Sequence, residues 1–258
     1  MSIEKKLDSS RVYINIQIRK KVILKRYYIY IMNKYNYIPK MSSNDQEYDV
    51  SIEAGIGVGK STILDIFSKK FGDKINVIFE PLQEWLEKYS DGKTNILNMF
   101  YSDIQRWGYT FQMNAFMTRI QKIKNERVSG KINLTERSIL SDYRIFAKML
   151  HDDGKITAVE WKLYEDWFNW LSYEFNSIPK KIIYLRCDPE VAFQRIRKRS
   201  RCEESGITFE YIEKLHKYHD DWLLNEKEIP VLVIDVSSDF EGDDAKIDEI
   251  YTKIIGFV

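Results

Sequence analysis

The segment Ile52-Glu53-Ala54-Gly55-Ile56-Gly57-Val58-Gly59-Lys60-Ser61-Thr62 restricts this chain more than any other feature. Val50 and Ile52 form an apolar run before it, and Ile63, Leu64, Ile66 and Phe67 follow in an amphipathic run. Strand, glycine-rich loop and helix is the order that a phosphate-binding loop requires. Backbone N–H groups around Gly55, Gly57 and Gly59, with the helix N-terminus that carries Thr62 in its first turn, would face phosphate oxygens. Lys60 would reach the β- and γ-phosphates, and the Ser61 hydroxyl would ligate Mg²⁺. The strict pattern has glycine at position 54, where this chain has Ala54 with Gly55 beside it. The competing reading is a glycine-rich turn with a solvated lysine. Gly-Lys-Ser-Thr at a strand–helix junction argues against that reading, so the loop predicts binding of a nucleoside triphosphate.

With 258 residues the chain can bury one substantial core, and a single α/β domain plus an extension fits better than two domains. A formal net charge of +1 gives no reason to expect nucleic acid or an anionic membrane as a partner. Cys187 and Cys202 make neither a disulfide framework nor a metal-ligand spacing, which suits reduced thiols and a cytoplasmic location. His151, His216 and His219 have no acidic or cysteine partners at zinc-site spacing. No apolar stretch approaches the ~20 residues of a membrane span. Residues 1–45 differ from the rest, being rich in Lys, Arg, Tyr, Ile and Asn and poor in acids and glycine. An organelle presequence would be basic too, but would be richer in serine and alanine. The segment reads as an appended extension, with Met41 a second plausible start and the folded domain at 46–258.

Apolar runs then alternate with helical patterns, the signature of a parallel sheet. Strands are expected at 48–53, 75–80, 131–135, 180–186 and 230–235. Helices are expected at about 60–71, 94–101, 104–128, 138–150, 157–175, 188–199, 208–226 and 243–256. Ligands of such sheets sit at the carboxyl ends of the strands. There the second strand offers Glu80-Pro81, followed by Trp85, and the third offers Glu136-Arg137-Ser138. Glu80 beside the loop could accept a proton from an attacking hydroxyl, or it could merely begin a helix. Glu136 could help hold Mg²⁺ and Arg137 could steer a phosphoryl group, or the two could form a surface ion pair.

Along 104–128, Gln112, Ala115 and Arg119 share one helix face, with Phe111 and Phe116 near its borders. A small residue between an amide and a guanidinium leaves room for a planar ligand. Asp142 and Phe146 share the next helix's face, where Asp142 can pair with Arg119 and Phe146 can stack on a ring. A solvated face is the alternative, but Phe-Gln-Met-Asn-Ala-Phe-Met is too apolar for it, and a buried Gln and Arg need partners. Arg195 and Arg199, one turn apart before a glycine-containing loop, read as an arginine-bearing lid.

In order and spacing these marks resemble the deoxynucleoside kinase family, closest to its deoxycytidine/deoxyguanosine/deoxyadenosine kinase branch. The resemblance also rests on Met99-Phe100-Tyr101, Arg106-Trp107, Arg195 to Arg201 with the following Cys-Glu-Glu-Ser-Gly-Ile, and Tyr211-Ile-Glu-Lys-Leu-His. It covers nearly everything after residue 48. The resemblance implies a P-loop kinase fold with a five-stranded parallel sheet flanked by helices, usually as a homodimer. It implies transfer of the γ-phosphoryl of ATP, with Mg²⁺, to the 5′-hydroxyl of a deoxynucleoside. Glu80 would be the general base and Arg137 would position the 5′-oxygen. Tyr101 and Glu204 would hold the 3′-hydroxyl, Gln112 would read the base edge, and Trp85 and Phe100 would line the nucleoside site. Arg195, Arg199 and Arg201 would form the lid, Asp239 and Phe240 would contact the donor base, and Ser61 and Glu136 would face the metal.

Ala115, Arg119 and Asp142 match the branch that accepts purines and cytosine, so deoxyadenosine, deoxyguanosine or deoxycytidine is expected over thymidine. Phe100, where several relatives carry Met, and Ala54 depart from the family pattern. The alternatives are a thymidine-accepting or broad-range kinase, a nucleoside-monophosphate kinase, or a non-catalytic subunit of the same fold.

Overall fold

Five short runs rich in Ile, Val and Leu form one sheet in the computed structural model, which describes residues 49–199, 204 and 206–258. The strands are β1 (Asp49–Glu53), β2 (Ile75–Ile78), β3 (Ile132–Glu136), β4 (Lys181–Arg186) and β5 (Val231–Asp235). They lie in the order β2-β3-β1-β4-β5, and every neighbouring pair is parallel. Central β1 is buried at every position, including Ser51 and Glu53, because a parallel sheet carries cover on both faces. The expected five-stranded parallel sheet is therefore the observed one. The extension at 1–45 and Arg201 lie outside the described residues.

Eight helices are labelled along the described chain: α1 (Lys60–Phe71), α2 (Ile96–Ser102), α3 (Ile104–Glu126), α4, α5 (Ala158–Glu174), α6 (Pro189–Arg199), α7 (Phe209–Leu223) and α8 (Asp244–Phe257). Local chemistry sets several starts. Asn95, Asp103, Thr208 and Asp243 each accept an amide hydrogen bond at a helix N-terminus, and Thr157 with Glu160 closes a capping box. Helix α4 is composite: an α-helical turn Ile139–Ser141, a π-helical stretch Asp142–Ala147 and an α-helical end Lys148–Asp152. A second π-helical turn, Glu84–Lys88, lies where no helix was expected. β2 stops at Ile78 rather than at 80. Beyond it the Glu80 amide is taken by the Glu136 carboxylate at 3.3 Å instead of by a neighbouring strand.

Phe67 and Phe71 of α1 pack against Tyr251 of α8. Helices α3, α5 and α7 all pack against the π-helical stretch of α4. Among the described residues, no helix is long and apolar enough to cross a membrane.

Candidate active site

The carboxyl ends of β1, β2 and β3 open onto a cavity of about 620 Å³, walled by α2, α3 and α4. That volume suits a small-molecule ligand. Its floor is the glycine-rich loop. Gly57 and Gly59 have φ of 78° and 101°, a region that L side chains rarely enter. A Cβ on Gly57 would lie 2.3 Å from the Ala192 carbonyl oxygen, and one on Gly59 2.6 Å from the Phe240 ring. Among described non-glycine residues only Arg137 and Asn176 have positive φ, so Ala54 fits where the strict pattern has glycine. No side chain caps α1, which leaves its first amides free to meet an anion.

Lys60 is buried, and its Nζ donates to the Gly55 carbonyl at 3.0 Å. Burial, then the nearby Arg137 charge, lowers its pKa to about 7. Ser61 Oγ donates to Glu136 Oε1 at 2.6 Å, and Thr62 lies half-buried beside it. A hydroxyl and a carboxylate so placed are hard oxygen donors suited to Mg²⁺. Among the described residues no group of three His, Cys, Asp or Glu gathers as a ready-made metal cage.

Behind the loop two arginines converge on one carboxylate. Arg119 Nη2 donates to Glu80 Oε1 at 2.8 Å, and Arg137 Nη1 reaches both Glu80 oxygens at 3.1 Å. Burial works against ionisation there, but the Arg137 and Arg119 charges hold the Glu80 carboxyl down at about 2. Arg119 also donates to Asp142 at 2.7 and 3.2 Å and to the Glu136 carbonyl at 2.8 Å. The Arg119–Asp142 contact is an ion pair with side chains only 3% exposed. Burial pushes the Asp142 carboxyl up, against the pull of Arg119. Arg137 holds a φ of 62°, a strained position for a residue with a Cβ. Its guanidinium lies 4.9 Å from the Phe146 ring, so Phe146 is spanned by a cation on one side.

Gln112, Ala115 and Arg119 all line the cavity from one face of α3, while Phe116 turns into the core against Tyr164 and Phe168. Gln112 is 2% exposed, yet its amide makes no hydrogen bond to any described residue. Phe100 stacks on Phe111 at 4.6 Å, and Trp85 meets Phe111 edge-on at 5.3 Å while donating to Thr118. Tyr101, beside Phe100, also lines the cavity, its phenol pushed well up by burial. Arg199 also lines the cavity and grips Glu204 at 2.6 and 2.7 Å.

Arg195 does not line this cavity. It lies outside the loop, donating to the carbonyls of Val58, Val236 and Ser238, with Phe240 at 5.6 Å and an exposed Asp239 at 4.0 Å. Arg195 and Arg199 lie one turn apart on α6, and of the two only Arg199 lines this cavity. Two residues that the sequence motifs contain were given no role there. Tyr211 lines the cavity from the first turn of α7, and burial raises its pKa to about 12. Glu53 ends β1 with its carboxylate fully buried, on a strand that also buries Asp49 and Ser51.

A parallel sheet, a glycine-rich loop with a buried lysine, and a carboxylate held by arginines beside a ligand-sized cavity define a P-loop phosphotransferase. The family model described as deoxynucleoside kinase matches residues 50–258. The chain is 36% identical over 238 residues to deoxycytidine kinase 2 of Gallus gallus, covering 81% of this chain and 89% of that protein. It is 35% identical over 247 residues to the mitochondrial deoxyguanosine kinase of Xenopus laevis, covering 84% and 93%. It is 33% identical over 239 residues to the deoxycytidine kinase of Homo sapiens, covering 81% and 90%. The chain belongs to the deoxynucleoside kinase family.

Proposed function

We propose that this enzyme transfers the γ-phosphoryl of ATP, with Mg²⁺, to the 5′-hydroxyl of deoxycytidine, deoxyadenosine or deoxyguanosine in preference to thymidine. The observation that carries the substrate reading is the Gln112 amide, buried in the cavity wall and left without a partner among the described residues. Buried amides need partners, and a base edge supplies both a donor and an acceptor. Asp142 beside it has acceptor capacity beyond the Arg119 bonds, which suits an exocyclic amino group. Thymine would present a carbonyl and a methyl there, leaving buried polar groups unpaired at about 1–3 kcal/mol each.

In this reading Glu80 orients the acceptor hydroxyl and takes its proton, which moves late in a loose phosphoryl-transfer transition state. A carboxylate held at about 2 is a weak base, so orientation is its larger contribution. Arg137 steers the 5′-oxygen, Tyr101 and Glu204 hold the 3′-hydroxyl, and Trp85, Phe100, Ala115 and Phe146 shape the nucleoside site. Gly55, Gly57, Gly59, Lys60 and Thr62 cradle the donor phosphates, with Arg199 and Arg201 closing over them. Arg195, Asp239 and Phe240 sit on the donor-base side. Ser61 and Glu136 would hold Mg²⁺, which neutralises charge on the β- and γ-oxygens when bound. Residues 46–258 form the catalytic domain, with 1–45 an extension to it.

Homodimerisation and a cytoplasmic location belong to the same proposal. Val159, Leu163, Trp167 and Trp170 repeat on one exposed face of α5, an apolar stripe that a second copy would cover. Initial rates with the four deoxynucleosides and ATP-Mg²⁺ test the substrate reading. Thymidine giving the highest kcat/KM would refute it.

A further inference from the structure

Glu53 lies one layer behind the reacting groups and does not line the cavity. Its Oε1 accepts a 2.8 Å hydrogen bond from the Ser138 amide, while its Oε2 makes none to a described residue. Ser138 follows Arg137, whose left-handed φ of 62° must be held from both sides to persist. The two successive amides of that turn are both taken by β1. Arg137 N donates to the Ile52 carbonyl at 3.0 Å, and Ser138 N donates to Glu53. Arg137 Nη2 then reaches back to the Ala54 carbonyl at 3.3 Å, and Nη1 grips Glu80. Without the Glu53 side chain, the buried Ser138 amide has no acceptor, and the turn is free to relax toward an ordinary φ. That relaxation swings the guanidinium away from Glu80.

We propose that Glu53 is a positioning residue: its side-chain oxygen locks the Glu136-Arg137-Ser138 turn in its left-handed form and so keeps the Arg137 guanidinium aimed at Glu80. The proposal rests on the reading that Arg137 serves the phosphoryl transfer. Its physical content is reach, not charge. Glu53→Gln keeps an oxygen at the same distance, whereas Glu53→Asp keeps the charge and falls one methylene short.

The test measures kcat and KM for deoxycytidine with ATP-Mg²⁺ in the full chain, together with deoxycytidine affinity, in the Arg137 and Arg137→Ala backgrounds. Glu53→Gln is expected to stay within about threefold of the parent kcat. Glu53→Asp and Glu53→Ala are expected to lose about tenfold or more in kcat, with deoxycytidine affinity changed less than about threefold. In the Arg137→Ala background, Glu53→Asp should cost less than about twofold further, because the group it positions is gone. Full kcat in Glu53→Asp and Glu53→Ala overturns the proposal. So does a Glu53→Gln loss as deep as that of Glu53→Asp, or an equal loss in both backgrounds. If Glu53→Ala fails to fold, the contrast between the Gln and Asp variants decides in the same way. An Arg137→Ala enzyme with undiminished kcat refutes the reading of Arg137, and the proposal with it. A loss in Arg137→Ala with none in the Glu53 variants refutes the proposal alone.

Discussion

Arg119 bridges Glu80 and Asp142, donating to Glu80 Oε1 at 2.8 Å and to Asp142 Oδ2 at 2.7 Å from one guanidinium. The carboxylate assigned to the acceptor hydroxyl and the one assigned to the base are thus fixed relative to each other by a single buried cation. Glu80→Gln keeps the shape and an acceptor oxygen but removes the charge that both arginines face. Turnover is expected to fall by about 10²–10⁴ while deoxynucleoside affinity changes little. Steady-state rates and calorimetric titration of the variant check it, and unchanged turnover would remove Glu80 from its role.

The loop yields a paired prediction. At Gly57 an added Cβ meets a backbone oxygen at 2.3 Å and a left-handed φ, so neither neighbour nor backbone yields cheaply. Gly57→Ala is expected to lose ATP binding and several degrees of melting temperature. Ala54→Gly removes one buried methyl from a position with no positive φ and should keep its activity. Thermal melts and ATP titrations of both variants check the pair. A large loss of activity in Ala54→Gly would mean that the loop depends on that methyl.

The fold was legible in the sequence because parallel strands buried on both faces read as continuous apolar runs between helical patterns. Gln112, Ala115, Arg119 and Asp142 were legible for a similar reason: helical periodicity puts residues on a face regardless of what lies opposite. What lies opposite was legible only in part: the Arg119–Asp142 pair was expected, and the third member was not. Glu80 enters the Arg119–Asp142 pair through the packing of β2 beside β3, a long-range contact with no local signal. The contacts of Arg195 were not legible either. Its spacing from Arg199 is helical, but its guanidinium finds the Val58 and Val236 carbonyls first. The π-helical turn Glu84–Lys88 and the unusual φ of Arg137 are tertiary impositions that no propensity announces.

The Gln112 amide separates binding from stability. Its polar atoms gain no hydrogen bond from any described residue, so Gln112→Leu, similar in size and apolar, should melt at or above the parent temperature. Deoxynucleoside affinity should fall about fivefold to a hundredfold, the equivalent of about 1–3 kcal/mol for lost base-edge hydrogen bonds. A destabilised variant with unchanged affinity would make Gln112 a core residue instead.

The α5 stripe predicts an oligomer. Trp167 and Trp170 are each 44% exposed, and their rings lie 5.5 Å apart, a patch that a lone copy leaves in water. Light scattering of the full chain should give twice the 30.8 kDa chain mass, and Trp167→Glu should shift it toward one copy. A parent protein that is monomeric at micromolar concentration would remove the stripe from this role.

Lys60 ties the loop to pH. Its lowered pKa of about 7 means that the free protein holds the neutral amine above that pH, whereas the unfolded chain keeps it protonated up to its ordinary value of 10.5. Between the two values the unfolded state binds more protons, so this group's contribution to stability rises with pH across that window. Triphosphate binding runs the other way. The bound phosphates favour the ammonium, so ATP must draw a proton onto Lys60, and its affinity should weaken by up to about tenfold per pH unit above 7. Calorimetry from pH 7.5 to 9 in buffers of different ionisation enthalpy should register net proton uptake on ATP binding. Lys60→Met should abolish both the uptake and the pH slope. Affinity independent of pH over that range would mean that the lysine is already charged in the free loop.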